Sequence, residues 1–404
     1  MIFIPEKLKK KILADKYNSI IFEKGRGREL YLVGGYIRDI LRGIRSHDRD
    51  YILSGDLRSF VQKIRNSIGG TIVQFKNEDT IRIAFKNGLT CDFSNLQETL
   101  EDDLSKRDFT INAIAWSPER EIIDLYNGIE DIKRKEIRAV SKKNLISDPL
   151  RLLRAYRFAA ELDGSIEHTT REIIKTLHKK IKRVSFERIT LELFHLLNCK
   201  HAAKYLKISL ADGILTDILL IYNKVLEHNI REISKLEKGI LKSLPSTFKA
   251  ILYRTFSQNL TYKGLLCLEV LLRNEFSSHK EINRIKLSNM ISKRIELTHQ
   301  AIEQFDKKKE RLKEKLFNIF MKTEEAAIDV LIIKNRLDLY HDYKKFKRIW
   351  RNSFLSSEEV ISISGIDKGP EIGSLITSLK KAQFEGTVKS KTQAIKLIKK
   401  YYFT

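Results

Sequence analysis

Asp48 and Asp50 stand one residue apart in Asp48-Arg49-Asp50-Tyr51-Ile52-Leu53, 13 residues after Gly34-Gly35. On an extended backbone alternate side chains share a face, so the two carboxylates would point the same way, roughly 6 to 7 Å apart. Anions held that close repel each other unless a cation lies between them. The expected ion is Mg²⁺, a hard cation that prefers carboxylate oxygens and commonly brings substrate phosphates with it.

The neighbourhood strengthens this reading. Leu30-Tyr31-Leu32-Val33 is a short apolar run with the character of a buried strand, and it stops at Gly34-Gly35. The following Tyr36–Arg42 segment has helical spacing, with Ile37, Ile40 and Leu41 on one side and Arg38 and Arg42 on the other. Glycines at a strand-to-helix junction let a phosphate approach backbone N–H groups and the positive end of the helix. Arg82–Lys86 and Leu89–Phe93 read as two strands of a hairpin turning at Asn87-Gly88. Asp92, in the second strand, completes a three-carboxylate cage if that strand pairs beside the one carrying Asp48.

A second centre begins at Asp148. Arg151, Arg154 and Arg157 recur every three residues and share one helical face, while Leu150, Leu153 and Phe158 can turn to a core. Three adjacent like charges call for an anion. Asp148 is also suited to cap the helix, with Pro149 at its first position.

With 76 Lys plus Arg against 52 Asp plus Glu, the formal charge is +24, which favours a polyanionic partner. Seven lysines and one glutamate lie between Leu379 and the end, and Tyr343–Arg351 interleaves cations with aromatics, a pattern suited to a phosphate backbone. Three scattered cysteines (Cys91, Cys199, Cys267) exclude a disulfide framework or a zinc site and fit a reducing compartment. Met1–Glu6 is too poor in apolar residues for a signal peptide, and no run approaches the roughly 18 apolar residues of a membrane span, so a cytoplasmic protein without a membrane partner is expected. Up to about residue 140 short apolar strands alternate with Gly-rich turns; from about residue 148 the pattern is helical. The fold class is therefore α+β, a mixed head followed by a helical remainder.

Gly34-Gly35-Tyr36-Ile37-Arg38-Asp39, Asp48-Arg49-Asp50 and Arg107-Asp108-Phe109-Thr110-Ile111-Asn112-Ala113 together resemble the class II tRNA nucleotidyltransferase and bacterial poly(A) polymerase family. The resemblance continues through Asp124–Ile132, Asp148–Phe158 and Ser185-Phe186-Glu187-Arg188, with a thinner match at Ile363–Asp367. It implies a nucleotidyltransferase head with a small mixed or antiparallel sheet at 1–140, a helical neck with a base-reading helix at 141–200, a helical body at 201–355 and a tRNA-binding helical tail at 356–404. It implies a two-Mg²⁺ centre on Asp48, Asp50 and Asp92, the catalytic residues. Gly34, Gly35, Arg38, Arg107, Asp108, Asn112, Asp148, Arg151, Arg154 and Arg157 would bind the nucleotide, with Asp148 and Arg151 reading the incoming base and the later arginines contacting the triphosphate. A carboxylate accepts from the amino group of cytosine or adenine, and a guanidinium donates to the adjacent ring acceptors. Uracil and guanine present a carbonyl instead, and an unmatched buried polar group costs about 1 to 3 kcal/mol.

The implied activity is addition of C and/or A to the tRNA 3′ end from CTP and/or ATP, with no obligate protein partner evident. The alternatives are RNA tailing with ATP and, from another class, a non-catalytic RNA-binding protein. Two departures from the family pattern stand out. Ser147 replaces a Glu common before the template Asp, and the connection between the Asp92 strand and the acidic lead-in to Arg107 is short where many CCA-adding members carry a longer flexible loop. The second leaves CC-only or A-only addition open beside full CCA synthesis.

Overall fold

The computed structural model describes residues 5–74, 80–273, 285–307, 311–366 and 369–402. Two compact units divide at Asn223/Lys224. Unit 1 is built on a seven-stranded mixed sheet: β1 (Leu30–Val33), β2 (Asp48–Leu53), β3 (Thr71–Gln74), β4 (Thr80–Ala84), β5 (Thr90–Asn95), β6 (Ala115–Ser117) and β7 (Glu121–Ile123), in the spatial order β3-β4-β5-β2-β1-β6-β7. Its helices are α1 (Pro5–Leu13), α2 (Lys16–Lys24), α3 (Gly35–Leu41), α4 (Leu57–Ile68), α5 (Leu100–Ser105), α6 (Gly128–Arg134), α7 (Lys142–Ser147), α8 (Leu150–Leu162), α9 (His168–Leu177) and α10 (Phe186–Asn198), followed by Ala202–Ala211 and Ile214–Leu219.

The apolar run at Leu30–Val33 is strand β1, buried at every position because it lies inside the sheet, flanked by β2 and β6. The hairpin forms about Asn87-Gly88, with Gly88 at φ +79° as the turn requires. The strand β2 pairs parallel with β5 and antiparallel with β1, so Asp50 sits between Asp92 and Val33. Its two faces meet different surroundings. Tyr51 stacks on its register partner Phe93 (centroids 5.1 Å apart), and Phe22, Phe60 and Trp116 complete this aromatic layer. The other face carries Ile52, Val33 and Ala115, packed with Leu100 and Leu104 of α5.

Arg49, between the two aspartates, points into the aromatic side. Its guanidinium is buried between the rings of Tyr17 (5.2 Å) and Tyr36 (5.1 Å) and is bound to Asp15, the residue whose carboxylate also caps α2. The strand is thereby pinned from behind while Asp48 and Asp50 face forward.

Two glycines fix close approaches. Asp124 accepts from the N–H groups of Gly128 (2.7 Å) and Ile129 (2.9 Å) and so anchors the start of α6. A Cβ on Gly128 would lie 2.1 Å from the Thr110 carbonyl oxygen, and one on Gly164, just after α8, 1.8 Å from that of Lys135. The Asp124–Ile132 stretch therefore acts as a brace for the Arg107–Ala113 segment, reinforced by the Thr110 hydroxyl donating to Asp131 (2.7 Å).

Unit 2 is mainly helical, with a short strand pair at Thr255–Ser257 and Leu260–Thr261; a second pair, Glu136–Ile137 with Ser165–Ile166, lies in unit 1. One unit 2 core gathers Phe317, Phe320, Tyr343, Phe346 and Phe384, and another Leu355, Val360, Leu379, Ala394 and Ile398. The aromatics of the Tyr343–Arg351 run are thus largely core residues of a helix at Tyr340–Arg351; its lysines and arginines carry the outward charge, and Trp350, partly exposed, lies under Lys380 at 4.5 Å. Of the C-terminal match, Ile363–Ile366 runs from the end of a helix to Gly365 at φ +68°, and Asp367 lies outside the described residues.

Replacing Gly128 by Ala is expected to lower stability by about 1 to 3 kcal/mol, because the added methyl meets backbone rather than a movable side chain. Chemical denaturation should show it as a lower midpoint with an unchanged slope.

Candidate active site

A cleft of about 460 Å³ in unit 1 is lined by Gly34, Gly35, Arg38, Asp48, Asp50, Asp92, Arg107, Asp108, Asn112, Asp148, Arg151, Arg154 and Arg157, joined by Arg82 and Phe158 among others. Every residue singled out from the sequence reaches this one cavity, although they come from segments spread over more than a hundred residues.

The carboxylate wall follows from strand register. Asp50 and Asp92 are direct partners across β2 and β5, and Asp48 lies two residues earlier on the same face, opposite Thr90. Asp48 accepts from the Thr90 hydroxyl at 2.7 Å. Asp92 is held end-on by Arg82 through two bonds of 2.7 and 2.6 Å. Asp50 has its pKa pushed up to about 6 by burial, with Arg107 opposing the rise and Asp92 and Asp48 adding to it.

Oxygen donors alone, on one face, suit a hard divalent cation in chemistry. The side chains do not close around a common point, however: among the described residues no group of three acidic, His or Cys side chains stands close enough to hold an ion.

Gly34 joins this wall to the helix behind it. Its backbone has φ +71° and ψ −128°, a conformation open to glycine, and a Cβ there would lie 3.4 Å from Arg107 Nη1 and 3.8 Å from Asp50 Oδ2. The opposite wall is α8. Its Leu150, Leu152, Leu153, Ala155, Tyr156, Phe158 and Ala159 are buried, which leaves Arg151, Arg154 and Arg157 on the stripe that meets the cleft.

A chain of internal ion pairs organises those arginines. Asp108 accepts from Arg154 Nε (2.9 Å), from Asn112 Nδ2 (2.9 Å) and from the Phe109 N–H (2.8 Å), with Arg154 Nη2 in ion-pair contact at 2.7 Å. Burial alone would raise its pKa, but Arg154 and these hydrogen bonds outweigh it and hold the carboxyl below its usual range. Asn112 in turn accepts from Arg38 at 2.6 Å, and Arg38 also grips Asp39. Glu192 pairs with Arg154 (3.5 Å) and Arg157 (3.3 Å), and Arg157 also pairs with Glu161. The guanidiniums of Arg38, Arg154 and Arg157 all stand around the Phe158 ring, at 5.1, 5.2 and 4.1 Å. Much of the counter-charge that the arginine face demands is therefore supplied within the protein.

Both residues singled out for reading a base line the cleft, and each is held. Asp148 Oδ2 accepts from Arg188 at 2.8 Å, and Oδ1 from the Leu150 N–H at 3.3 Å. Arg151 donates to the carbonyls of Lys106 (3.0 Å) and Asn144 (3.2 Å), and burial lowers its pKa. Arg107 is fixed to Asp103 by bonds of 3.0 and 2.8 Å.

Sequence reasoning left Arg82, Asp103, Arg188, Glu192 and Phe158 out of the site. A two-residue turn at Asn87-Gly88 would have set Arg82 opposite Phe93; the loop instead takes in Lys86 as well, with Phe85 facing Leu89, and this one-residue shift brings Arg82 to Asp92. The acidic lead-in put Asp103 one helical turn before Arg107, so that residue carried a usable signal. The contacts of Arg188 and Glu192 depend on how α8 and α10 pack, and no local pattern announces them.

A sheet with carboxylates on one face, a glycine turn and an arginine-lined helix opposite make a cleft suited to a nucleotide's phosphates and a divalent cation. Residues 87–138 match the model of the poly A polymerase head domain, and residues 165–224 that of the probable RNA and SrmB-binding site of polymerase A. A CC-adding tRNA nucleotidyltransferase of Synechocystis sp. is 28% identical over 90% of this chain and 91% of its own length. A CCA-adding enzyme of Streptococcus uberis is 28% identical over 91% of each. The fold is that of the Thermotoga maritima CCA-adding enzyme solved in complex with tRNA, with a TM-score of 0.75 at 22% identity over 97% of both chains. Over nine tenths of its length the chain is thus similar in sequence to tRNA nucleotidyltransferases. Among the described residues no helix is long and apolar enough to cross a membrane.

The raised pKa of Asp50 has a stability consequence. In the folded, metal-free protein the carboxyl holds its proton up to about pH 6, whereas in the unfolded chain it loses it near its ordinary value of 3.8. The folded state binds the extra proton in that window, so stability falls as pH rises from about 4 to 6 and stays lowered above. Asp50→Asn is expected to be more stable than the parent protein at pH 7.5 in EDTA, by up to about 3 kcal/mol, with the difference vanishing below pH 4. Thermal melts across pH would register it.

Proposed function

We propose that this protein is a Mg²⁺-dependent nucleotidyltransferase that needs no nucleic-acid template and adds C and/or A to the 3′ end of tRNA, drawing on CTP and ATP and releasing pyrophosphate. The observation that carries the reading is the meeting, in one cleft, of Asp48, Asp50 and Asp92 on the sheet with Asp148 and Arg151 on the opposite wall. Carboxylates serve the chemistry, and a fixed acceptor–donor pair stands where a template base would otherwise be required.

A divalent cation bound by the three carboxylates would lower the pKa of the attacking 3′-hydroxyl and neutralise the departing pyrophosphate. Everything else falls to this chain's own side chains. Arg38, Arg107, Arg154 and Arg157 provide cationic groups for the triphosphate, and the opening at Gly34 leaves room beside Arg107 and Asp50 for a phosphate to approach. Asp108 and Asn112 hold Arg154 and Arg38 in place. Arg188 and the Leu150 N–H orient the Asp148 carboxylate toward the amino group of C or A, and Arg151, desolvated and anchored on two carbonyls, donates beside it. The basic helical parts would hold tRNA by shape and phosphate contacts. The neck at 141–200, body at 201–355 and tail at 356–404 are our working division of those parts, and the cytoplasm is the compartment in which the substrate is found.

Extension of tRNAs ending before CCA, after C and after CC, each offered CTP or ATP singly, tests the reading and separates CCA-, CC- and A-adding activity. Failure to extend any of the three would refute it. The match of residues 87–138 to a poly A polymerase head model supports a second reading, RNA tailing with ATP, which long tails on a generic RNA would favour.

Within the first reading, Asp148→Ala is expected to leave Mg²⁺ dependence intact while reducing discrimination against UTP about 10-fold or more, as expected when a buried polar match worth about 1 to 3 kcal/mol is removed. Competition assays with mixed nucleotides measure this directly.

A further inference from the structure

Arg82, Asp92 and Asp50 occupy a single rung across β4, β5 and β2, because Asp92 is the register partner of both neighbours. Arg82 meets Asp92 as a fork: Nε lies 2.7 Å from Oδ1 and Nη2 2.6 Å from Oδ2, so both carboxylate oxygens are engaged at once. The guanidinium is the outer partner of the pair, its side chain 37% exposed against 18% for Asp92. Asp48 and Asp50 share the face with Asp92, and both oxygens of Asp92 are engaged by this guanidinium.

We propose that Arg82 is a resident cation on Asp92, holding that carboxylate when the cleft lacks a divalent ion and leaving it when the ion arrives. Without a counter-charge, Asp50 and Asp92 would repel across adjacent strands. A guanidinium fork relieves that repulsion and keeps the Asp92 side chain extended. It is also displaceable, because a partly exposed pair is screened by water and salt. A divalent ion offers twice the charge and direct coordination to the same oxygens. Arg82 also lines the cleft, so a guanidinium turned away from Asp92 stays on the side where phosphates would lie. Arg82 is in these terms a positioning residue acting through Asp92. The inference rests on the reading that this cleft takes a divalent cation.

Mn²⁺ binding to the full-length, metal-stripped protein, followed by electron paramagnetic resonance, tests it without reliance on turnover. Arg82→Gln is expected to bind Mn²⁺ about threefold to tenfold tighter than the parent, since the ion no longer competes with a charge-assisted fork. Arg82→Lys, which keeps the charge and loses the fork, should tighten binding by a smaller factor and guards against a misfolded glutamine variant. Unchanged or weakened Mn²⁺ affinity in both variants overturns the proposal, because a residue that merely braced the hairpin would not tighten the ion. Asp48→Asn and Asp50→Asn separate the two levels of argument. If they bind Mn²⁺ as the parent does, the ion does not occupy this cleft, and the underlying reading falls together with the role of Arg82.

Discussion

The buried pair of Asp108 and Arg154 is the interaction on which the cleft depends. Asp108 belongs to the segment between α5 and the sheet, and Arg154 to α8, so their bond fixes the separation of the two walls. Asp108 takes three hydrogen bonds and a further ion-pair contact and is fully shielded, which makes its charge tolerable only while Arg154 is present. Removing one partner of such a pair leaves an uncompensated buried charge, at a cost of about 3 to 5 kcal/mol. From Asp108 the network extends through Asn112 to Arg38 and through Arg154 to Glu192 and Arg157. Neither wall can be described without the other.

This arrangement separates the side chains that line the cleft from those that support them in a way the amino-acid order conceals. Asp48, Asp50 and Asp92 owe their common face to strand register alone, backed by Arg49 locked against Asp15. The arginines owe their orientation to Phe158, whose ring is shared by three guanidiniums, and to acids that include Asp108 and Glu192. A cationic cleft of this density would repel itself in the absence of those acids.

Much of this was legible in the chain. The Leu30–Val33 strand, the helix after Gly34-Gly35 and the hairpin about Asn87-Gly88 obey short-range rules, so they appear where the pattern puts them. The shared face of Asp48 and Asp50 is a consequence of strand geometry, and the arginine stripe one of helical geometry. Counting outward from a two-residue turn at Asn87-Gly88 would have coupled Arg82 to Phe93; the three-residue loop that forms shifts the register by one and puts Asp92 there. The packing of α8 against α10 was beyond such rules, because it is decided by apolar surfaces distant in the chain; Arg188 and Glu192 therefore emerged as partners of Asp148 and the arginines only in three dimensions. The aromatic and basic run at 343–351 serves two ends: Tyr343 and Phe346 enter a hydrophobic core, while its lysines and arginines carry the outward charge. Periodicity distinguishes those two uses poorly when the same helix needs an apolar face and a charged one.

The contacts that assemble the cleft also span long stretches of chain: Arg38 to Asn112 is a separation of 74 residues, and Arg154 to Asp108 one of 46. Loop closure on that scale is entropically slow, whereas the hairpin and the individual helices can form from near neighbours. During refolding of unit 1, native-like circular dichroism should consequently precede competence to bind nucleotide, with the arginine cradle among the last parts of the domain to mature.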